Sequence, residues 1–242
     1  MSPIQLSGGS HVGLRRRDNE DAYVVRPDLS FCAVADGMGG AAAGEEASRI
    51  FVETAEEVFS NVARVSPEER VQLVQKAFSW ANERILDHVK QHPEHKGMGC
   101  TAELLAFFDS GFVSGHMGDS RTYRLRNGQF RQLSKDHSFV QDQLDQGLIS
   151  QEEARNHRMR NIVLRAVGVK SELALDVTRG NAYAGDRFLL CSDGLTDMVQ
   201  DGDIEAVLAS EEPLAQQVDR LIEMAKSGGG KDNVTVAIAH VF

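Results

Sequence analysis

Apolar positions along this chain change period several times, and each change marks a predicted element. The front has strand period: VGL leads into RRRDNED, DAYVVR alternates, and FCAVA is a short unbroken apolar run. From about Ala41 the spacing turns helical, with Ile50, Thr54 and Val58 on one face and Phe51, Ala55 and Val62 beside them. A second helix is predicted from SPEE. Ser66 caps it, Pro67 suits its first position and Glu69 completes a capping box. A stripe of Val71, Val74, Phe78, Ala81, Ile85 and Val89 follows, and Pro93 ends it.

Strand period returns in TAELLAFF and GFVSGHMG, then in RTYRLRNGQFRQL, whose Asn127-Gly128 pair signals a hairpin. Residues 138 to 167 are less regular and predict two short helices and a mobile segment. ELALDVT and DRFLLCSD predict strands, DIEAVLAS and PLAQQVDRLIEMAK predict helices, and DNVTVAIAHV predicts a closing strand. Hairpin-linked strands around two long helices, without regular strand–helix alternation, define an α+β class: antiparallel sheet with helices on its outer faces. No repeat or convincing linker divides the 242 residues, so a single domain over 1–242 is expected.

Composition narrows the function classes. Hydrophobic residues at 41% and charged residues at 26% permit a packed core. A formal net charge of −10 disfavours nucleic acid and suits divalent cations. Cys32, Cys100 and Cys191 are odd in number and far apart, so they read as buried core rather than as a disulfide framework or a zinc set. A cysteine-dependent phosphatase needs an arginine six positions after its thiol, and those positions hold Met38, Ala106 and Asp197. No apolar stretch is long enough to span a bilayer and the N-terminus lacks a signal-peptide pattern, so a cytoplasmic protein with no membrane partner is expected.

The acids carry the chemistry. FCAVADGMGG (31–40) and FLLCSDGL (188–195) share one grammar: apolar run, small residue, Asp, Gly. GDSR sets Asp119 after another apolar strand, and KDNVTV sets Asp232 just before one. Each is also an ordinary turn dipeptide. Four of them at the ends of apolar strands point to a common edge, where crowded carboxylates cannot all stay ionised without a cation. Oxygen-only donors select Mg²⁺, Mn²⁺ or Ca²⁺.

Two phosphate-loop readings fail. GMGGAA overlaps a dinucleotide-binding pattern, but Asp36 stands where the pyrophosphate would approach. SGGGKDN lacks the Ser or Thr that a P-loop needs after its lysine. His88, His92 and His95 fall at a helix end, where the dipole favours them without a metal. RRRDNED brings Arg16 near Glu20 and Asp21. That is either a solvated turn or a phosphate-clamping guanidinium beside acids that hold metal-bound water, which suits phosphoryl transfer.

With these residues in view, the sequence resembles the metal-dependent protein phosphatases of the PP2C (PPM) family in their compact bacterial form. RRRDNED, VADGMGG, GMGCTA, GDSR, KDHS, LRAVG, CSDGLTD and GGKDNVTV occur in family order. The resemblance implies a four-layer αββα sandwich, two central antiparallel sheets flanked by helix pairs, with a flap at about 138–165. It implies two Mn²⁺ or Mg²⁺ ions per site and the third metal of bacterial members. Asp36 would bridge two ions, helped by the Gly37 carbonyl. Asp193 and Asp232 would hold the other, and Asp119 with Asp193 would serve the third. Glu20 and Asp21 would bind directly or through metal-bound water, and Arg16 would hold the substrate phosphate. A hydroxide bridging the two metals would attack phosphorus, and the Ser or Thr alkoxide would leave.

The same resemblance implies a stand-alone monomeric serine/threonine protein phosphatase. It would reverse a cognate bacterial kinase on phosphorylated proteins, as members associated with type VI secretion do. Met38 departs from the animal enzymes, which carry His there as a proposed general acid. The leaving group would then be protonated by metal-bound water or another residue; His116 and His137 are candidates, though each reads better as a satisfied structural histidine. Cys100 stands where bacterial relatives often have Thr. The flap arginines Arg155, Arg158, Arg160 and Arg165 read as a solvated face or as contacts to an acidic partner. Two rival readings are a catalytically inactive phosphoprotein-binding module and a phosphohydrolase of small molecules or nucleotides.

Overall fold

A computed structural model describes residues 3–39, 43–60, 66–109 and 111–242. Among these the chain runs β1 (Ile4–His11), β2 (Asp21–Arg26), β3 (Phe31–Met38), α1 (Ala43–Ser60), α2 (Pro67–Gln91), a 3₁₀ turn (Pro93–His95), β4 (Gly99–Phe108), β5 (Gly111–Met117), β6 (Arg121–Arg126) and β7 (Gln129–Gln132). Then come α3 (Phe139–Asp145), α4 (Gln151–Arg155), β8 (Asp176–Asn181), β9 (Arg187–Cys191), α5 (Asp193–Thr196), α6 (Asp201–Ala209), α7 (Leu214–Ser227) and β10 (Val234–Val241). The strands form two antiparallel sheets, β1-β10-β9-β6-β7 and β2-β3-β4-β5-β8.

Strand alternation sorts side chains onto two faces and so creates three apolar layers. Phe31, Ala33 and Ala35 of β3 face out and pack under α1 and α2, against Phe51, Ala55, Val74, Phe78 and Ile85. Leu189, Val236 and Ile238 face out of the other sheet against Ile204 and Leu208 of α6 and Leu221 of α7. Between the sheets lie Cys32, Val34, Leu105, Phe107, Phe188, Leu190 and Ala237. Each fully buried Phe contributes about 1.5–3 kcal/mol, and Phe31, Phe51, Phe78, Phe107 and Phe188 are all 0% exposed. The result is the expected four layers, helices–sheet–sheet–helices.

Local signals placed the long helices well. Ser66 Oγ accepts from the Glu69 N–H while the Glu69 side chain accepts from Ser66, and Pro67 takes the first turn of α2. Ser66→Ala is expected to lower stability by about 1 kcal/mol, read as a shift in the urea midpoint. Asn127 and Gly128, at φ 50° and 71°, make the predicted hairpin turn between β6 and β7. The flap holds its two short helices, α3 and α4. The onset of α1 at Ala41 and its face residue Val62 lie outside the described residues.

Several boundaries need correction. VGL is not the first strand: β1 lies earlier, at Ile4–His11, and pairs along its whole length with β10. Its sequence is poor in apolar residues because its glycines serve packing. A Cβ on Gly9 would sit 2.8 Å from Val218 of α7, and one on Gly8 would sit 2.9 Å from Tyr23. The strand expected in ELALDVT begins only at Asp176, where pairing with β5 starts. The strand expected in DRFLLCSD stops at Cys191, and Asp193 opens α5 instead. DIEAVLAS belongs to a helix that starts two residues sooner, at Asp201.

Candidate metal centre

Asp36 sits on β3 with the parity of Cys32 and Val34, so it faces the opposite sheet at the edge of the sandwich. Its register partners on that face are Asp21 of β2 and Thr101 of β4. Two carboxylates therefore stand opposite one another on adjacent strands, an unfavourable pair by itself. From the other sheet, the Ser192 hydroxyl donates to Asp21 Oδ2 at 2.8 Å, and the next residue, Asp193, opens α5. Asp232 leads into β10 and Asp119 follows β5.

The acids share one field. Burial first, then Asp21, Asp193, Asp119 and Asp232, hold the Asp36 carboxyl well above the usual range. Burial first, then Asp119, Asp197, Asp232 and Asp21, do the same to Asp193. Burial pushes Asp21 up to about 6, opposed by the hydroxyls of Thr235 and Ser192 and assisted by Asp232. Asp119 is also pushed up to about 6, by burial and then by Asp136. Glu20 is raised by burial, with Arg16 pulling the other way. All four expected ligand acids, Asp36, Asp119, Asp193 and Asp232, keep partial exposure, so an ion could reach them.

The residues fit a hard divalent ion. Asp21 Oδ1 is buried and has no hydrogen-bond partner, a costly state for a carboxylate oxygen. The donors are all oxygen. Among the described residues no three His, Cys, Asp or Glu side chains already close into a cage. Mg²⁺ and Mn²⁺ do not require one, because water and carbonyl groups complete their shells.

Backbone contacts of unusual closeness assemble the edge. The Gly37 N–H donates to the Glu20 carbonyl at 3.1 Å, and Ser48 Oγ of α1 donates to the same carbonyl at 2.6 Å. A Cβ on Gly44 would lie 2.9 Å from Glu20 Oε1, so the Glu20 carboxylate rests on the first turn of α1. Asn233 clips the arginine-rich turn to β10. Its Oδ1 accepts from the Glu20 N–H at 2.8 Å, and its Nδ2 donates to the carbonyls of Val12 and Asp18, both at 3.0 Å. Neither Asn233 nor Ser192 was singled out from the sequence. The available signal was a small polar residue beside a candidate acid at a strand end.

Arg16 Nη2 donates to Asp232 Oδ2 at 2.8 Å, so the expected phosphate clamp lies against an expected ligand. Met38 ends β3, paired with Gly99, and its Cε lies 3.6 Å from where a Gly99 Cβ would stand. His116 has both ring nitrogens engaged, Nδ1 with Glu103 and Nε2 with the Lys135 carbonyl. His137 is engaged at both nitrogens as well. Their structural reading therefore prevails over proton donation. The rings of His88, His92 and His95 stack on one another, with His88 Nε2 at 2.9 Å from His95 Nδ1. All three cysteines are buried free thiols.

A cavity of about 560 Å³ opens beside Asp119 and Asp193, with Gln141, Arg155 and Arg160 of the flap on its far wall. Arg160 Nη2 crosses to Asp197 Oδ2 at 2.9 Å, and Arg165 reaches Asp176 at 3.3 Å. These arginines pair within the chain rather than standing wholly solvated. Among the described residues no helix is long and apolar enough to cross a membrane.

An acid-rimmed edge on a four-layer αββα sandwich, with an arginine at its mouth, defines the class of fold and site. The sequence model of Protein phosphatase 2C matches residues 8–235, and the chain belongs to that family. It is 39% identical to the serine/threonine protein phosphatase PstP of Mycobacterium tuberculosis over 98% of its own length, but spans 45% of that protein. The catalytic domain of PstP in complex with two manganese ions superposes with a TM-score of 0.90 at 37% identity, covering 98% of each chain. PppA, a regulatory component of the type VI secretion system of Pseudomonas aeruginosa, superposes with a TM-score of 0.89 at 34% identity, covering 100% of this chain and 99% of that one.

Proposed function

We propose that residues 1–242 form one metal-dependent phosphatase domain acting on phosphoserine and phosphothreonine in proteins. One observation carries the reading: burial first, and then neighbouring carboxylates, hold both Asp36 and Asp193 well above the usual range, with Asp21 and Asp193 acting on Asp36 and Asp119 acting on Asp193, at a solvent-reachable edge with an orphaned oxygen, Asp21 Oδ1, beside them. Asp36, Asp193 and Asp232 would hold two Mn²⁺ or Mg²⁺ ions, with the Gly37 carbonyl assisting and Asp119 serving a third ion. Such ions neutralise phosphate oxygens and supply an activated water at neutral pH. Asp21 and Glu20 would hold the ions directly or through their water, and the half-exposed Arg16 would turn its remaining N–H donors to the phosphate. The flap cavity leaves room for the polypeptide around the phosphorylated residue.

The two manganese ions of PstP support the cofactor. The names of the relatives support a phosphoprotein substrate, and so a kinase that this enzyme would oppose. The likeness to PppA makes a secretion-associated kinase one candidate among these. The test is hydrolysis of a phosphothreonine peptide, of p-nitrophenyl phosphate and of nucleotides with Mn²⁺, with chelator, and in Asp193→Asn. Peptide turnover is expected only in the metal-loaded wild type. Selective nucleotide turnover, or an inert protein that still binds phosphopeptide, overturns the reading.

A further inference from the structure

A buried polar network next to Asp119 has no part in that reading. Glu103 of β4 is 0% exposed, with Oε1 bound to His116 Nδ1 and Oε2 to the Thr122 hydroxyl. His116 Nε2 donates to the Lys135 carbonyl at 2.8 Å. A fully satisfied buried group of this kind is rigid, because every alternative rotamer strands a polar atom.

The His137 ring lies against His116, with centroids 4.4 Å apart. His137 grips Gly118 twice: its N–H donates to the Gly118 carbonyl at 2.6 Å, and its Nδ1 accepts from the Gly118 N–H at 3.2 Å. Nδ1 therefore bears no hydrogen. In the neutral ring Nε2 bears it instead and faces Asp176 Oδ2 at 3.1 Å, with Arg165 Nη1 at 3.1 Å on the same nitrogen. The His137 carbonyl accepts from the Leu164 N–H at 2.7 Å, at the return of the flap, and Arg165 joins the same Asp176. Gly118, at φ +119°, has no room for a Cβ, which would lie 2.4 Å from Thr101. Asp119 is the next residue, so the direction of its carboxylate follows from how Gly118 is held.

We propose that His137, seated on the Glu103–His116 pair, is a positioning residue that aims Asp119 into the metal centre and links that aim to the base of the flap. The proposal rests on the reading of Asp119 as an ion ligand. Titration calorimetry of the full chain with MnCl₂ tests it in wild type, Asp119→Asn, His137→Leu and His137→Asn. Asparagine Oδ1 can replace Nδ1 as the acceptor for Gly118, whereas leucine cannot.

His137→Leu is expected to weaken the same Mn²⁺-binding step as Asp119→Asn, by about 10- to 100-fold as for other groups that orient a ligand. His137→Asn is expected to restore that step. Leucine protein that titrates like wild type, or asparagine protein as impaired as leucine, overturns the proposal. Where the leucine variant does not fold, Glu103→Gln decides: a weakened Asp119 step supports the proposal and an unchanged one overturns it. Asp119→Asn binding like wild type also overturns it, whereas wild type that takes up no Mn²⁺ refutes the functional reading instead.

Discussion

Asp36→Asn is expected to abolish phosphopeptide turnover and, in metal-free protein, to raise the melting temperature. The two effects share a cause. Asp36 lies opposite Asp21 and in the field of Asp193, Asp119 and Asp232, so its charge opposes folding until cations arrive. Asparagine keeps the shape and removes that charge. Relief of one such unfavourable feature typically returns about 0.5–2 kcal/mol, and each kcal/mol moves Tm by about 2–4 °C in a chain of this size.

The pH dependence follows in sign. A carboxyl whose folded pKa is raised binds its proton more tightly in the folded state. The stability it contributes is complete below the unfolded value and is lost as pH rises through the folded one. For Asp21 and Asp119 that window runs from 3.8 to about 6, and Asp36 and Asp193 carry the loss higher. The advantage of Asp36→Asn over wild type should therefore grow with pH in calorimetry with chelator and shrink when Mn²⁺ is added. A metal-free variant that melts lower than wild type at every pH would sink this account of the acid edge.

What could be read from the sequence follows from how locally each feature is encoded. The capping box of α2 and the Asn127-Gly128 turn are complete within four residues, and both were legible. The repeated Asp-Gly grammar after apolar runs likewise marked Asp36 and Asp193. β1 was not legible because half of its signal lies in its partners, β10 and the side chains of α7 that fill the space above Gly9. The same holds for the support of the site. Asn233 gains its meaning from three backbone groups more than 200 residues away in sequence, and Ser192 from Asp21 across the sandwich. Glu103 did leave a trace, as the one charge inside the apolar run TAELLAFF. A buried carboxylate with a histidine as its register partner explains it.

Gly37→Ala should be a severely damaging single-methyl addition at the edge, costing about 1–3 kcal/mol or more in the manner of overpacked cores and most of the turnover. Gly37 needs no special dihedral, so the cost is steric. A Cβ there would stand 2.1 Å from the Gly44 carbonyl oxygen, 2.4 Å from its carbon and 2.6 Å from the Glu20 carbonyl oxygen. These are backbone atoms, with no rotamer to retreat into. Relief requires α1 to lift from β3 or the Glu20 turn to move off it, and either shift separates Glu20 and Asp21 from Asp36. The glycine after Asp36 thus has a packing duty independent of any bond its carbonyl makes to an ion. Gly202→Ala is the control, since a Cβ at that α6 position meets nothing within 4 Å and alanine favours a helix by roughly 1 kcal/mol over glycine. Urea midpoints with chelator isolate the packing duty from ion binding. A Gly37→Ala protein as stable as wild type under those conditions would show that the close approach of α1 to β3 is not needed.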